Sequence, residues 1–339
     1  MTATQAGRAL SDGSTAQGTA SRGTRIAPSD TGRPAVPTLP AMPTSHLLLA
    51  LSVVFLWGTN FVVIKWGLAE LPPFLFACLR FALSAWPCLM FVRRPPVGWG
   101  VLATFGALHG TVFGLLFLAM RADITPGLAS LVIQSQVFLT IALGMVIGRE
   151  RPHPLQLAAL ALAAAGIAWI GARSDGGAIT PTGLAIILAA ALCWAGANQV
   201  ARRAGRVDAL GFMIWSSLFA ALPLLALSLW LEGPARIAGA LTHAGVGAWA
   251  AVGWQAFVNS LFGFGAWNWL LARHPASLVT PAALLVPVFG LGASSLLLGE
   301  PLPGWKIGAA ALVVAGLALN LYAARRAANL ATSATTSPS

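Results

Sequence analysis

The stretch LLLALSVVFLWGTNFVVIKWG, Leu47–Gly67, is a long apolar run interrupted by few polar side chains. The hydrocarbon core of a bilayer is about 30 Å thick, and about 20 helical residues, each rising about 1.5 Å, are needed to cross it. Nine further stretches of this kind follow along the chain, near Phe74–Val92, Trp99–Ala119, Gly127–Ile147, Leu155–Ala172, Gly183–Ala201, Leu210–Leu231, Val246–Leu271, Ala276–Leu298 and Gly304–Ala324. The sequence therefore predicts an all-α integral membrane protein with ten transmembrane helices.

The composition supports the same class. Hydrophobic residues make up 57% of the chain and charged residues 9%, against roughly 25% charged in an average soluble domain. The net charge of +11 could point to nucleic acid, but the basic residues are scattered among short loops and form no single patch. The expected surroundings are the lipid bilayer, and nucleic acid is not an expected partner.

The distribution of basic residues predicts an orientation. With the N-terminus placed in the cytoplasm, fourteen of the 20 Lys and Arg residues fall in cytoplasmic segments and four on the opposite face. This bias follows the positive-inside rule and puts both termini in the cytoplasm. An even number of spans agrees with that placement. We expect a multi-pass protein of the cell membrane, that is, the inner or plasma membrane.

The termini differ from the apolar part of the chain. Residues 1–45 are rich in Ser, Thr, Gly, Ala and Pro and are expected to form a disordered cytoplasmic tail, and residues 326–339 form a second one. Between them, residues 46–173 and 182–325 each hold five of the predicted spans. No cleaved signal peptide is expected, because no short apolar region precedes the first span.

The two groups of five spans resemble each other. The stretch VFLTIALGMVIGRERP begins at Val137, and VFGLGASSLLLGEPLP begins at Val288. Glu150 and Glu300 fall at matching places, since each lies 16 residues before a glycine, Gly166 and Gly316. Because five is an odd number, the second group must enter the membrane from the opposite face. Inverted repeats of this kind are typical of secondary transporters, whose substrate site lies near mid-membrane at the repeat interface. We expect two inverted five-helix repeats.

One stretch makes the resemblance to a known family specific. LWGTNFVVIKWGLAELPPFLFACLRF, Leu56–Phe81, resembles the opening of the EamA family in the drug/metabolite transporter (DMT) superfamily. The paired ASLV stretches at Ala129 and Ala276 resemble the family's two repeats, and the likeness covers nearly all of Leu47–Ala324. Around ITPGLASLVIQSQVF and LLVPVFGLGASSLLLGE it is closest to the O-acetylserine/cysteine exporter branch. The resemblance implies efflux of a small, amino-acid-like zwitterionic metabolite, such as an amino acid, O-acetylserine or cysteine.

The predicted function is secondary transport of a small-molecule substrate by alternating access. A homodimer is one possible assembly. The alternatives are a carrier of the same superfamily for another solute, such as a drug or nucleobase, and a non-transporting membrane receptor or scaffold. An enzyme is not expected, because no nucleophile–base pair, Walker motif or His/Cys metal cluster is visible. No cofactor or metal is expected.

Polar side chains inside a bilayer are costly and mark candidate substrate contacts. Trp57 and Asn60 lie three residues apart, on one helix face, and offer a stacking surface beside an amide. Asn60 could equally tie its helix to a neighbour by hydrogen bonds. Asn259, with Gln255 beside it in the eighth span, is a further candidate for a polar path.

Two cations lie in the first two spans. Lys65 is near the end of its helix, where it can reach the headgroups, whereas Arg80 lies about two turns into the next helix. No predicted span contains an Asp or Glu to neutralise Arg80. Either Glu70 of the connecting loop pairs with it, or the guanidinium binds an anionic group of the substrate through paired donors.

The fourth and ninth spans carry the signs of broken helices. Gln134 and Gln136 point about 200° apart on a regular helix, so at most one of them should face a central cavity, and we favour Gln136. In the ninth span, Pro281 and Pro287 remove helical hydrogen bonds and should bend the helix. Discontinuous helices at a repeat interface indicate a binding site.

His109 is the histidine at mid-depth and the candidate for ion coupling. It lies among Gly106, Gly110 and Gly114, whose spacing lets another helix approach closely. A packed, hydrogen-bonded histidine is the favoured interpretation, and a titrating proton carrier is the alternative.

Overall fold

The computed structural model describes residues 42–148, 153–173, 177–205 and 207–335. Most of the predicted N-terminal tail, Glu150 and the end of the C-terminal tail lie outside these residues. In the described part of the chain the secondary structure is helical, apart from one isolated antiparallel bridge between Ile124 and Ile179.

The helices follow one another with short connections. The α-helices are α1 Thr44–Glu70, α2 Pro73–Leu89, α3 Trp99–Ala122, α4 Pro126–Val132, α5 Ser135–Gly148, α6 Pro154–Gly171, α7 Pro181–Ala204, α8 Ala209–Leu227, α9 Pro234–His243, α10 Val246–Gly253, α11 Gly263–Arg273, α12 Ala276–Val279, α13 Val286–Leu298 and α14 Gly304–Thr335. Two π-helical segments, Ser228–Glu232 and Trp254–Phe262, and the 3-10 segment Thr280–Leu285 connect α8–α9, α10–α11 and α12–α13.

Eight of the described helical segments are long and apolar enough to cross a membrane. The two other predicted spans, the second and the eighth, do not form a single long α-helix of this kind. The second is the shorter apolar helix Pro73–Leu89, which contains Pro87. The eighth is divided into α10, a π-helical segment and α11, because the backbone widens to i→i+5 bonding between Trp254 and Phe262.

Large apolar side chains lie on the outside of the bundle. Trp86, Phe91, Trp230 and Leu296 are each at least three-quarters exposed. A soluble protein rarely exposes so many large apolar side chains, whereas a bilayer covers them. The chain is therefore a multi-pass helical membrane protein.

The last helix is longer than the sequence predicts. The boundary of the C-terminal tail was expected after residue 325, but α14 continues to Thr335. Alanine has the highest helix propensity, and Ala323, Ala324, Ala327 and Ala328 surround the two arginines at this point. Local propensity therefore carries the helix past the end of the apolar run.

Carboxylates join separate helices at the end of the bundle where α1 ends and α4 begins, which we call the Glu300 end. Glu70 accepts a hydrogen bond from Gly245 N (2.5 Å), and Asp123 accepts one from Thr180 Oγ1 (3.0 Å). Glu232 accepts from the backbone N–H groups of Phe74 (2.7 Å) and Leu75 (3.0 Å), where α2 begins. We call the opposite end, where α1 begins, the Thr44 end.

Glu300 makes the most extensive of these connections. It pairs with Lys306 (Oε1–Nζ 2.7 Å), accepts from Gly127 N (3.1 Å) at the start of α4, and accepts from the hydroxyls of Thr125 and Ser294. Burial alone would raise the pKa of the Glu300 carboxyl, but the hydrogen bonds from Lys306, Ser294 and Thr125 and the Lys306 charge lower it. Because the pKa is lowered on folding, the stabilisation is present above the unfolded pKa and is lost as the pH falls through the folded pKa.

We expect Lys306→Met to destabilise the protein strongly. Lys306 is 1% exposed, so its removal leaves the Glu300 carboxylate buried without a counter-ion, a loss of about 3–5 kcal/mol. The double variant Lys306→Met/Glu300→Gln should recover part of this loss, measured as the thermal transition of the detergent-solubilised protein.

The control for this prediction is Lys65→Met. Lys65 donates only to the backbone carbonyls of Met120 (3.2 Å) and Arg121 (3.3 Å), so its loss strands no charge and should cause a small change. A double variant that is as unstable as the sum of its two single variants would contradict the buried pair as the source of the stability.

Candidate functional site

A cavity of about 340 Å³ lies in the middle of the bundle. It is lined by described residues of α1, α2, α3, α5, α7, α11, α13 and α14 and of the segments between them. Aromatic side chains form much of its wall, namely those of Trp57, Phe61, Phe113, Trp194 and Phe264. On α14 the lining runs from Leu317 to Ala324, in the half nearer the Thr44 end. The cavity therefore extends from mid-depth toward that end.

Five of the predicted substrate residues line this cavity. They are Trp57, Asn60, Arg80, Gln136 and Asn259. Lys65 does not line it, because its ammonium group lies at the Glu300 end on the carbonyls of Met120 and Arg121.

The prolines of the ninth span sit beside the cavity wall and act on the backbone. Pro281 is at the start of the 3-10 segment, and Pro287 is at the start of α13. Each lacks the N–H that a continuous helix would use. Their neighbours Thr280 and Val286 contribute to the lining, as do Ala283 and Leu284 between them.

Arg80 is fully buried and is bound by neutral side chains. Its Nε donates to Ser260 Oγ (3.2 Å), and its Nη1 donates to Gln255 Oε1 (3.1 Å). The guanidinium carbon lies 3.6 Å from the centre of the Phe113 ring, a cation–π contact. Nη2 has no hydrogen-bond partner. One donor of a buried cation is therefore free, on a residue that lines the cavity.

A relay of amides holds the guanidinium in place. Gln255 accepts from Arg80 and donates through Nε2 to Asn60 Oδ1 (2.7 Å), which links α2, the second π-helical segment and α1. The same π segment places Ser260 beside Arg80, and Ser260 donates to Gln255 O (2.8 Å). In the same segment, the carbonyl of Asn259 accepts a hydrogen bond from Trp57 Nε1 (3.3 Å). Asn60 thus ties two helices together and also faces the cavity.

The alternative in which Glu70 neutralises Arg80 is wrong. The Glu70 carboxylate accepts from the backbone N–H of Gly245, at the start of α10, and the described partners of Arg80 are Ser260, Gln255 and Phe113. Glu70, the last residue of α1, is bonded at the surface of the Glu300 end, whereas Arg80 lies inside the bundle.

The prediction that at most one of Gln134 and Gln136 faces the cavity is also wrong, because both line it. The helix is not regular at this point: α4 ends at Val132, α5 begins at Ser135, and the connecting backbone bonds span three residues, such as Val137 N to Gln134 O (3.1 Å). In such a tighter turn, successive side chains are rotated differently than in an α-helix.

Gln136 is part of a polar connection between α5 and α7. Asn198 Nδ2 donates to Gln136 Oε1 (2.8 Å) and to Thr140 Oγ1 (3.0 Å). Gln199 Nε2 donates to Thr140 O (2.8 Å). This connection holds the fourth predicted span against the sixth beside the cavity.

His109 lies in an aromatic cage and not in the cavity wall. Its ring stacks on Phe105 (5.3 Å between centroids) and meets Phe81, Phe113 and Trp194 edge-on. The side chain is 6% exposed, and neither ring nitrogen has a hydrogen-bond partner. The histidine is packed as expected, but the expectation that it is hydrogen-bonded is wrong, because aromatic rings surround it and supply no hydrogen-bond partner. Such surroundings suit a neutral, packed imidazole, because an imidazolium would hold two unsatisfied donors.

Asn320 is a polar cavity residue that the sequence did not single out. It lies in α14, and its Oδ1 is buried without a hydrogen-bond partner. The signal was available, since Asn320 is a single amide within the apolar run of the tenth span. Trp194, Phe113 and Phe264 were also missed as lining residues, because an aromatic residue in an apolar span carries no mark of which neighbour it faces.

The site can bind an anion next to an apolar surface. Arg80 supplies a desolvated charged donor, and the aromatic rings supply stacking area. Among the described residues, no group of His, Cys, Asp and Glu is arranged to hold a metal ion. The Arg80 guanidinium and the aromatic rings together suit non-covalent contacts with a small molecule.

Comparison with known proteins identifies the family of this chain. The model of the EamA-like transporter family matches residues 44–172 and 181–322. A protein of Salmonella typhimurium strain LT2 named "probable amino-acid metabolite efflux pump" is 41% identical over 288 residues, which cover 82% of this chain and 95% of that protein. Its namesake in Escherichia coli K12 is 39% identical over 284 residues, with the same coverage.

More distant proteins extend the comparison. A "probable terminal-alkyne amino-acid exporter" of Streptantibioticus cattleyicolor is 29% identical over 284 residues, covering 80% of this chain and 91% of that protein. A solved crystal structure shares the fold with a TM-score of 0.55 and 23% identity, covering 83% of this chain and 98% of that one. Because the family match spans most of the chain and the first two relatives are aligned nearly end to end, this chain belongs to the EamA-like transporter family.

Proposed function

We propose that this protein exports small amino-acid-like metabolites by alternating access, with the substrate carboxylate bound by Arg80 in the central cavity. The observation that carries the proposal is the free Nη2 of a fully buried guanidinium on the cavity wall. A carboxylate accepts well-aligned hydrogen bonds from a guanidinium, and the aromatic wall suits an apolar side chain. The names of the two relatives near 40% identity support the substrate class.

We further propose ten spans in two inverted five-helix repeats, 46–173 and 182–325. The packing of the helices supports this arrangement, because contacts come in pairs that the repeat would exchange. Helix α1 packs on α13 as α7 packs on α5, and α3 packs on α8 as the segment Trp254–Phe262 packs on α2. Both the fourth and the ninth predicted spans are broken at the cavity, at 133–134 and at 280–285.

The proposed orientation puts the Thr44 end in the cytoplasm. The excess of basic residues at that end supports it. The cavity would then face the cytoplasm, with the carboxylate contacts of the Glu300 end closing the route outward. Such a state is the one that loads a substrate for export.

Arg80→Gln should abolish transport while the protein still accumulates in the membrane. The amide keeps a donor toward Gln255 but loses the charge that holds a carboxylate in an apolar cavity. The measurement is counterflow of labelled cysteine in vesicles containing the full-length protein, with the amount of folded protein determined in parallel.

The matched control is Arg94→Gln. Arg94 is exposed, donates to Val97 O (2.8 Å) and covers the Trp99 ring, away from the cavity. The Arg94→Gln variant should transport cysteine at the rate of the intact protein. Counterflow by Arg80→Gln at the rate of the intact protein would refute the role of Arg80, and no counterflow of any amino-acid-like solute by the intact protein would refute the proposed function.

His109→Phe should retain transport and its pH dependence. The aromatic cage holds a neutral ring without hydrogen bonds, and phenylalanine conserves the ring contacts. The test is the initial rate of counterflow between about pH 5 and 8, the range in which a histidine titrates. A pH step that is present in the intact protein and lost in the variant would assign coupling to His109 instead.

Single cysteines test the orientation. In a background with Cys78, Cys88 and Cys193 replaced by alanine, His243→Cys lies at the Glu300 end, and Arg203→Cys lies at the Thr44 end. A membrane-impermeant maleimide added to intact cells should label the first and should label the second only after permeabilisation. The reverse pattern would invert the proposed topology.

A further inference from the structure

The cavity holds two unsatisfied polar atoms of opposite kinds. Arg80 Nη2 is a charged donor, and Asn320 Oδ1 is a neutral acceptor, and both are buried without a partner on residues that line the same cavity. Buried polar groups are almost always paired in native proteins. Two unpaired atoms in one cavity therefore indicate a ligand that carries a hydrogen-bond acceptor for Arg80 and a donor for Asn320.

The charge on the wall has one sign. Arg80 is the charged residue among the described residues that line the cavity, and the polar ones beside it are the neutral Asn60, Gln134, Gln136, Asn259, Thr280 and Asn320. All nine Asp and Glu residues of the chain fall outside the ten predicted spans. The described carboxylates are bonded elsewhere, at the Glu300 end or, for Asp208, at the start of α8. The Arg80 charge thus enters the cavity uncompensated.

A zwitterion and an anion should bind in this cavity with different affinities. The carboxylate of either one pairs with Arg80. An ammonium group, however, would leave water for amide oxygens in the neighbourhood of a guanidinium, and an unpaired buried charge is strongly disfavoured. An uncharged N–H loses little solvation, and one acceptor, Asn320 Oδ1, satisfies it.

We infer that the cavity selects solutes with a net negative charge, namely amino-acid derivatives whose carboxylate binds Arg80 and whose uncharged N–H donates to Asn320, and that the membrane potential drives their export. This inference rests on the proposed function and gives the substrate class of the same site. An interior that is negative with respect to the outside pushes an anion out of the cell, at about 2.3 kcal/mol per charge for 100 mV. The net charge of the solute then supplies the coupling, without a titrating side chain in the cavity.

The test compares N-acetylcysteine, a net anion, with cysteine, a zwitterion, in liposomes that contain the full-length protein. A potassium gradient with valinomycin sets the membrane potential. An inside-positive potential of about 60 mV should raise the accumulation of N-acetylcysteine about tenfold and should leave that of cysteine unchanged. N-acetylcysteine should also be the faster substrate at zero potential.

Variants of Asn320 test whether this residue contributes to the preference for anions over zwitterions. Asn320→Asp adds a carboxylate of nearly the same shape and should shift the ratio of the two rates severalfold toward cysteine, while Asn320→Leu should slow N-acetylcysteine. Gln156→Glu is the control for an added negative charge, because Gln156 caps α6 outside the cavity. An unchanged ratio in both Asn320 variants would overturn the assignment of Asn320.

The outcomes separate the two proposals. Transport of cysteine in preference to N-acetylcysteine, or an accumulation of N-acetylcysteine that ignores the potential, would overturn the selection of anions and leave amino-acid export standing. Transport of neither compound, and of no other amino-acid-like solute, would overturn the proposed function itself.

Discussion

The hydrocarbon core of a bilayer offers no hydrogen-bond partner, so every polar group at that depth must find one inside the protein. Arg80 is the extreme case, as a fully buried cation in a span. Its partners Gln255 and Ser260 come from a helix that has widened to π geometry, and Gln255 extends the connection to Asn60. The irregular backbone and the three-helix relay thus surround this one side chain and leave its Nη2 free.

Charge is divided between two regions of the molecule. Carboxylates at the Glu300 end accept backbone N–H groups and the Lys306 ammonium, and they join helices that are distant in sequence. The cavity at mid-depth carries the opposite charge. Glu300 is bonded to the start of α4, whose far end leads to the broken backbone beside Gln134. Opening the Glu300 end would therefore move a segment that also lines the cavity.

The regular features of this fold were predictable because they depend on length and polarity alone. Eight of the ten predicted spans coincide with described helical segments long enough to cross a membrane. Two of the errors share one cause, the assumption of a regular helix. Gln134 and Gln136 both line the cavity because i→i+3 bonds replace α-helical ones between them, and the eighth span widens between Trp254 and Phe262. No local propensity marks either change, since each one serves contacts with distant helices.

The sequence by itself determined the membrane class, the approximate spans and the presence of Arg80 in a region without acidic residues. It also placed Trp57, Asn60, Gln136 and Asn259 among the candidates, because a polar or aromatic interruption of an apolar run is visible in one dimension. Only the tertiary structure decided which of them meet. It bonded Glu70 to Gly245, caged His109 among aromatic rings and brought Asn320 to the cavity of Arg80. The reason is physical: the partner of a buried polar atom lies on another helix, and helix packing in three dimensions selects it.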